Sequence, residues 1–486
     1  MTSPEGTAAE RTPPWWSDHL LLLIVGVAIV LRLTAITEPM RFDESVTYVE
    51  FVLKPWSAVV GSYPYPNNHV LFSLLAKLTS SLAPMQPWAI RLPALLAGVA
   101  IVPLTYAVGR KLLGRTEALL GAALAAAATP LVLYSVNARG YSLLAALFLV
   151  ELLLVHRLRA RPTAAGWVVV AIVAALGAFT IPIMLYPHGI IGVWLVLDWA
   201  RRRSDASRAA VVGFALASAG AAVLALLLYL PIIRSQGWGA LVGNKFVEPQ
   251  SWASFASQLP RSALGTLLQW SMPLPLWLAP IALVLAVVGV MRSRRARRGS
   301  PSLLLASALW CLLLLLATHR VPFMRIWIFL LPLYCLAVGS GIAALAERAR
   351  TTTSLTPLLA PILAAAIAAL SLASHSVAAA TETGAFPDAP AVTAALKPRL
   401  RDGDRVLAPI PTNGPLLFYF VASQMKTGYL STNAEAMRRA FIVLDTTRGQ
   451  SLGWAVRQGM IDPRRFAPPR LVGRFGGAEL WVTDAL

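Results

Sequence analysis

Eleven stretches of this chain are long and apolar enough to cross a bilayer as helices, and that repetition leaves few folds open. A helix rising about 1.5 Å per residue needs about 20 apolar residues to traverse about 30 Å of hydrocarbon. Runs of that order lie at residues 18–36, 90–109, 117–135, 141–156, 165–183, 184–199, 209–232, 274–291, 302–318, 322–345 and 355–375. Only 13% of the residues are charged and 57% are hydrophobic, more apolar surface than a water-soluble core can hide. The expected fold class is a polytopic α-helical membrane protein with about 11 transmembrane helices.

The charges set the orientation. A formal net charge of +20 would suit a nucleic-acid partner only if the cations shared a face of a soluble domain. Instead they fall in short loops: Arg110, Lys111 and Arg115; Arg157, Arg159 and Arg161; Arg201, Arg202, Arg203 and Arg208; Arg292, Arg294, Arg295, Arg297 and Arg298; Arg348 and Arg350. With the N-terminus in the cytoplasm, all of these loops lie on the cytoplasmic side of eleven crossings, as the positive-inside rule requires. A nucleic-acid partner is therefore excluded, and the C-terminus is placed outside the cytoplasm. The bias toward Ala, Arg and Pro is that of a GC-rich bacterium, so the expected location is the bacterial cytoplasmic membrane, multi-pass. Acidic residues such as Glu5 and Glu10 before a full-length first span argue against a cleavable signal peptide. Cys311 and Cys335 sit inside apolar runs and read as small buried hydrophobes, not as a disulfide framework.

The expected organisation is a cytoplasmic segment at 1–17, a membrane domain at 18–377 with outer loops 37–89 and 233–272, and an extracytoplasmic α/β domain at 378–486. Residues 68–84 are apolar enough to raise a twelfth crossing, but a span there would invert the later basic loops. They read as an amphipathic or re-entrant helix that Asn68 would cap. Ser251 to Trp270 reads as a second surface-lying helix, with Trp252 and Trp270 at the headgroup level. Beyond residue 378 the pattern predicts helices at Asp388–Leu400, Pro415–Met425 and Ser451–Met460. Strands are predicted at Asp404–Ile410 and Ala440–Asp445, with a hairpin of Leu471–Phe475 and Glu479–Thr483 around Gly476-Gly477.

Candidate chemistry gathers in the outer loops. Asp43 and Glu44 are adjacent carboxylates just past the first span, suited to accept a proton or ligate a metal, or else a solvated pair marking a helix end. His69, one of six histidines, is suited to an ion or a phosphate, or to a structural hydrogen bond. Asn137-Ala138-Arg139-Gly140-Tyr141 returns to the outer boundary between two spans, and Arg320 and Arg325 repeat that placement before the tenth. Such arginines pair with lipid phosphate or carboxylate, or snorkel.

These motifs, Phe42-Asp43-Glu44, Asn67-Asn68-His69-Val70-Leu71, Arg91 to Gly98, Gly109 to Gly114 and Ala138-Arg139-Gly140-Tyr141, taken in order, resemble glycosyltransferase family 39. That group holds the bacterial relatives of the dolichyl-phosphate-mannose protein mannosyltransferases and of the aminoarabinose transferases. The resemblance covers about residues 18–160, with Arg325 through Pro332 a later echo. It implies a GT-C fold and inverting transfer of a sugar, hexosyl or pentosyl, from a polyprenyl-phosphate donor. The acceptor would be a hydroxyl of a lipid, glycan or protein, met on the extracytoplasmic side among membrane lipids. Asp43 would be the catalytic base, with Glu44 assisting at the site. Arg139, Arg320 and Arg325 would hold the donor phosphate, and Asn68, His69, Asn137 and Tyr141 would shape the site. A divalent cation, Mg or Mn, held by Asp43 and His69 would be optional, because Asn137 stands where many relatives carry an acid. The alternative reading is a transporter or flippase of lipid-linked sugars, which would place its ionisable residues near the bilayer midplane on broken helices.

Overall fold

The computed structural model describes residues 17–243, 246–296, 303–349, 355–431 and 437–486. The N-terminal segment up to residue 16 and Arg297, Arg298 and Arg350 of the basic loops lie outside these residues. Helix α1 (His19–Leu33) leads into a connecting region with α2 (Phe42–Thr47), a π-helical turn at Tyr48–Val52, α3 (Trp56–Gly61) and α4 (Val70–Ser80). The bundle continues through α5 (Pro87–Leu112), α6 (Arg115–Ala127), α7 (Thr129–Ser135), α8 (Tyr141–Leu158), α9 (Ala164–Thr180), α10 (Leu185–Arg202) and α11 (Asp205–Gln236). A second connecting region carries α12 (Gly239–Val242) and α13 (Trp252–Trp270). The bundle then closes with α14 (Ala279–Ala296), α15 (Leu303–Thr318), α16 (Leu331–Arg348) and α17 (Leu359–Ala373).

Each of the eleven apolar runs is helical. Among the described residues, seven helices are long and apolar enough to span by themselves, and α6 with α7 makes an eighth across a 59° bend. The remaining three, α1, α9 and α15, are apolar but shorter, at 15 to 17 residues. Helix α4 has only 11 residues, about half a bilayer's hydrocarbon depth, in keeping with its expected place off the spanning set. Side-chain caps fix several starts: Asp18 accepts from the N–H of Leu20, Thr163 from Gly166, Ser204 from Ser207 and Ser251 from Ser254.

The bend between α6 and α7 has a local cause. Pro130 has no N–H, so the carbonyl of Ala126 loses its helical donor, a loss that an apolar surrounding cannot repair with water. Arg32, fully buried on α1, supplies the replacement: its Nη1 donates to Ala126 O at 2.8 Å and its Nε to Ser135 Oγ at 3.1 Å. A charged residue thus stands inside the bundle because a broken helix needs its donors.

Two expectations are corrected. Asn68 does not cap α4; His69 occupies that position, while Asn68 donates to Val59 O and Ser62 O and accepts from Ser73 Oγ. The amide ties the end of α3 to the first turn of α4. Trp252 is exposed, but Trp270 is half-buried and packs against the bundle core beside Tyr334, because the C-terminal end of α13 meets the bundle at α16.

The C-terminal unit contains α18 (Ala389–Leu396), β1 (Asp404–Leu407), α19 (Asn413–Ala422), β2 (Leu430–Ser431), β3 (Arg439–Asp445), α20 (Leu452–Arg457), β4 (Arg470–Phe475) and β5 (Ala478–Asp484). Its strands form one mixed sheet in the order β2-β1-β3-β5-β4, with β1 parallel to β2 and β3 and the β4–β5 hairpin antiparallel. Every element expected there is present, and β2 is added as a two-residue edge strand too short to show alternation.

A second buried polar cluster ties the bundle together. Glu151 of α8 meets His188 of α10 at 2.6 Å, and the other ring nitrogen of His188 meets Ser218 of α11 at 2.8 Å. Removing one member of a buried pair strands the other, at a cost of about 3 kcal/mol or more. Glu151→Leu is therefore expected to lower Tm by several degrees in detergent, and the double variant Glu151→Leu/His188→Phe to regain most of the loss. A single variant as stable as the parent would contradict this role.

Candidate active site

The site forms where the loops at one end of the bundle meet. Asp43 and Glu44 lie in the first turn of α2, where helical N–H groups favour negative charge. They diverge because successive helical residues point about 100° apart. Glu44 turns inward and is fully buried. Its Oε1 accepts from the Arg41 N–H at 2.8 Å and from Arg91 Nη2, while its Oε2 accepts from Arg91 Nε at 2.9 Å and the Ala138 N–H at 2.8 Å. Arg91, on α5, spends its remaining donors on the carbonyls of Ile36, Glu38 and Pro39. The pair fastens the end of α1, α2, α5 and the 137–140 loop together, and Glu44 does not reach the cavity.

Asp43 turns outward into a cavity of about 980 Å³. Its Oδ2 lies 3.3 Å from Nη1 of Arg325, with the two side chains 14% and 20% exposed. Arg325 enters from the 3₁₀ turn Met324–Leu330 and rests over the Phe323 ring. A carboxylate from the first connecting region and a guanidinium nearly three hundred residues later share one cavity.

Beside them stands a second cation. Arg139 is buried, and its Nη1 donates to Asn67 O at 2.7 Å, to Asn67 Oδ1 and to Thr47 Oγ1 at 3.1 Å. Asn67 in turn donates to the carbonyl of Asp43 at 3.1 Å, so one amide links the cation to the backbone of the acid. His69 accepts the Gly140 N–H at Nδ1, 2.8 Å away, which leaves the proton of a neutral ring on Nε2. That nitrogen faces Arg139 Nη2 at 3.1 Å, so two donors converge where an anionic oxygen would satisfy both. Burial, followed by the nearby Arg139 and Arg325, holds the His69 imidazole well below its ordinary value and keeps it neutral. Tyr141 packs edge-on to His69 at 5.1 Å.

Asp43, His69, Arg139, Tyr141 and Arg325 are thus brought together on the cavity wall. Glu44, Asn68, Asn137 and Arg320 are not among its lining residues. Asn137 is buried beside the Ala138–Glu44 bond, and Arg320 is half-buried ahead of the 3₁₀ turn that carries Arg325. The optional cation does not fit this arrangement: Nδ1 of His69 accepts the Gly140 N–H, its Nε2 carries the ring proton and faces Arg139, so neither nitrogen offers a lone pair, and Arg325 stands against the Asp43 carboxylate. No group of three or more His, Cys, Asp or Glu side chains suited to a metal occurs among the described residues.

Several lining residues carried no sequence signal. Glu50 faces the cavity from the π-helical turn, whose extra residue per turn shifts side chains off the expected face. Ile410, Asn413, Gly414 and Leu417 reach it from the C-terminal unit. Asn67, within the Asn-Asn-His motif, was the one legible from its neighbours.

The His69 shift sets a pH dependence. The folded imidazole titrates below the ordinary 6.5, so the unfolded chain takes up its proton first as the pH falls. No penalty is present above about pH 7.5, and stability declines as the pH drops through about 6.5. His69→Gln is expected to flatten the fall in Tm between about pH 7.5 and about pH 5.5, and a decline as steep as that of the parent would contradict the burial of a neutral ring.

Known proteins can be set beside this geometry. Residues 67–232 match the family described as dolichyl-phosphate-mannose-protein mannosyltransferase. Comparison with curated protein sequences finds no match. ArnT from Cupriavidus metallidurans, solved in the apo state and bound to undecaprenyl phosphate, superposes with a TM-score of 0.62 at 12% identity, covering 95% of this chain and 97% of that one. The Archaeoglobus fulgidus oligosaccharyltransferase, solved in complex with Zn and sulfate, gives 0.58 at 12% identity over 94% of this chain and 72% of that one. The bundle of this layout with its capping α/β unit gives the chain the GT-C membrane fold of these two structures, and residues 67–232, which include the Asn-Asn-His and Ala-Arg-Gly-Tyr motifs, are similar to the mannosyltransferase family.

Proposed function

We propose that the protein transfers a sugar from a polyprenyl-phosphate donor to an acceptor hydroxyl, with inversion at the anomeric carbon. The observation that carries this reading is the approach of Asp43 to Arg325 at 3.3 Å inside a single cavity that also holds Arg139 and His69. Transfer from a lipid phosphate needs a base on the acceptor side and positive charge on the leaving-group side, and these residues supply both.

In this mechanism the Asp43 carboxylate takes the proton of the acceptor hydroxyl. The freed oxygen attacks the anomeric carbon as the bond from that carbon to the phosphate oxygen breaks. A single displacement from the opposite face inverts the configuration. The departing phosphate gains negative charge, which Arg325, Arg139 and the Nε2–H of His69 are placed to offset. Glu44 acts through position, holding α2 so that Asp43 faces the cavity. No step is routed through a divalent cation. Because Asp43 also neutralises part of Arg325, protonation of the carboxylate during attack leaves that guanidinium free for the phosphate at the moment charge develops there.

The distribution of basic loops at the bundle end opposite the site supports an extracytoplasmic active site, with the donor's prenyl chain between helices and its sugar in the cavity. The ArnT structure with bound undecaprenyl phosphate supports a donor of that class, and the oligosaccharyltransferase tethered to an acceptor peptide shows the same fold serving an acceptor. Here the acceptor is a hydroxyl of a lipid, glycan or protein.

Asp43→Asn, in proteoliposomes supplied with the polyprenyl-phosphate sugars extracted from a deletion strain, is expected to reduce transfer about 10²- to 10⁴-fold. Its Tm and its binding of undecaprenyl phosphate should stay near those of the parent. Transfer at the parental rate would remove Asp43 from the mechanism, and movement of lipid-linked sugar across the bilayer without a new glycosidic bond would replace the reading with that of a flippase.

A further inference from the structure

On the side away from Arg91, the residues flanking Asp43 are held by the chain that follows α17. Before it, the N–H of Met40 donates to the Tyr419 hydroxyl at 3.2 Å. The Arg41 guanidinium donates to Val377 O and Ala380 O, each at 2.7 Å, and to Thr383 Oγ1 at 3.0 Å. The N–H of Phe42 donates to Gly384 O at 3.0 Å. After it, Tyr48 meets Phe418 edge-on at 5.5 Å. Every one of these partners belongs to the segment that leaves α17 or to α19.

Phe42 itself sits in a seat that only glycines permit. A Cβ on Gly384, whose φ is +72°, would lie 2.4 Å from Phe42 Cβ and 2.9 Å from Pro411 Cβ. One on Gly414 would lie 2.4 Å from Phe42 Cδ2 and 3.0 Å from its Cα. Side-chain carbons do not approach that closely, so any larger residue at either place must push Phe42 aside. Phe42 is bonded directly to Asp43 on the short helix α2, and both residues line the cavity together with Gly414. A displacement of one is therefore passed to the other.

We propose that the C-terminal unit sets the position of the Asp43 carboxylate through this seat, which makes Gly384, Gly414 and Tyr419 positioning residues for the transfer. The inference rests on Asp43 serving as the base and assigns the C-terminal unit a share in catalysis besides any contact with acceptor. A carboxylate moved by a fraction of an ångström still binds its surroundings but meets the acceptor proton less often, an effect that falls on kcat.

A double-mutant cycle on the full-length protein in proteoliposomes tests it, with kcat, KM for the donor and Tm read for each variant. Gly414→Ala is expected to lower kcat at least about tenfold while KM for the donor stays within about twofold. In a Phe42→Ala background, where the ring that the new methyl strikes is gone, the same substitution should cost little. A loss of equal size in both backgrounds, or no loss in either, overturns the proposal. If Gly414→Ala does not fold, Tyr419→Phe removes only the hydroxyl that holds Met40; it should lower kcat several-fold at unchanged KM and Tm, and unchanged kcat overturns the proposal as well. Asp43→Asn run alongside separates the two claims: if it is inactive while Gly414→Ala and Tyr419→Phe behave as the parent, the seat alone fails, whereas an active Asp43→Asn removes the base on which the seat is argued.

Discussion

The buried pair of Glu44 and Arg91 holds this site in shape. A carboxylate with no exposure is tolerated only when its oxygens are filled, and Glu44 fills them with four donors from three parts of the chain. Arg91 spends its other donors on the three carbonyls at the exit of α1. The energy of such a pair is largely consumed in desolvating it, so its consequence is geometric: α2 can sit in one way only. Asp43 then has no choice but to face the cavity, and two neighbouring acids become one fastener and one reactive group.

Around that fixed acid stand more positive charges than negative ones. Arg325 approaches from the 3₁₀ turn before α16, Arg139 from the loop between α7 and α8, and His69 stays uncharged beside them. Each cation is also tied to backbone carbonyls, amides or ring faces, so it keeps its place whether or not an anion is present. Preorganisation of this sort lets cations meet developing negative charge without first having to move. The C-terminal unit completes the arrangement, for its α19 both walls the cavity and presses on the residue beside Asp43.

Much of the architecture was legible from hydropathy because a bilayer imposes a single length on every crossing. The runs at 90–109 and 322–345 could hardly be anything but spans, whereas the run at 68–84 was set apart only because a crossing there would invert the later basic loops. Asp43, His69, Arg139 and Arg325 were legible because ionisable groups next to an apolar run demand partners. The same logic could not separate Asp43 from Glu44, since which of two adjacent acids turns inward depends on Arg91, forty-seven residues away. It could not separate Arg320 from Arg325 either, because the 3₁₀ turn that aims one and not the other leaves no pattern. Glu50 was hidden by a π-helical turn, and the cavity wall at Ile410 to Leu417 by a tertiary contact between segments more than three hundred residues apart. Asn68 looked like a cap because it precedes a helix, yet the turn before it had greater need of its amide.

The central claim is spatial, so a structure of the protein with undecaprenyl phosphate bound examines it most directly. The account predicts the phosphate within hydrogen-bonding distance of Arg325 and Arg139, with the Asp43 carboxylate facing the open side of the cavity across the site of the sugar. A phosphate held elsewhere on the bundle, or an Asp43 carboxylate turned away from it, would contradict the account.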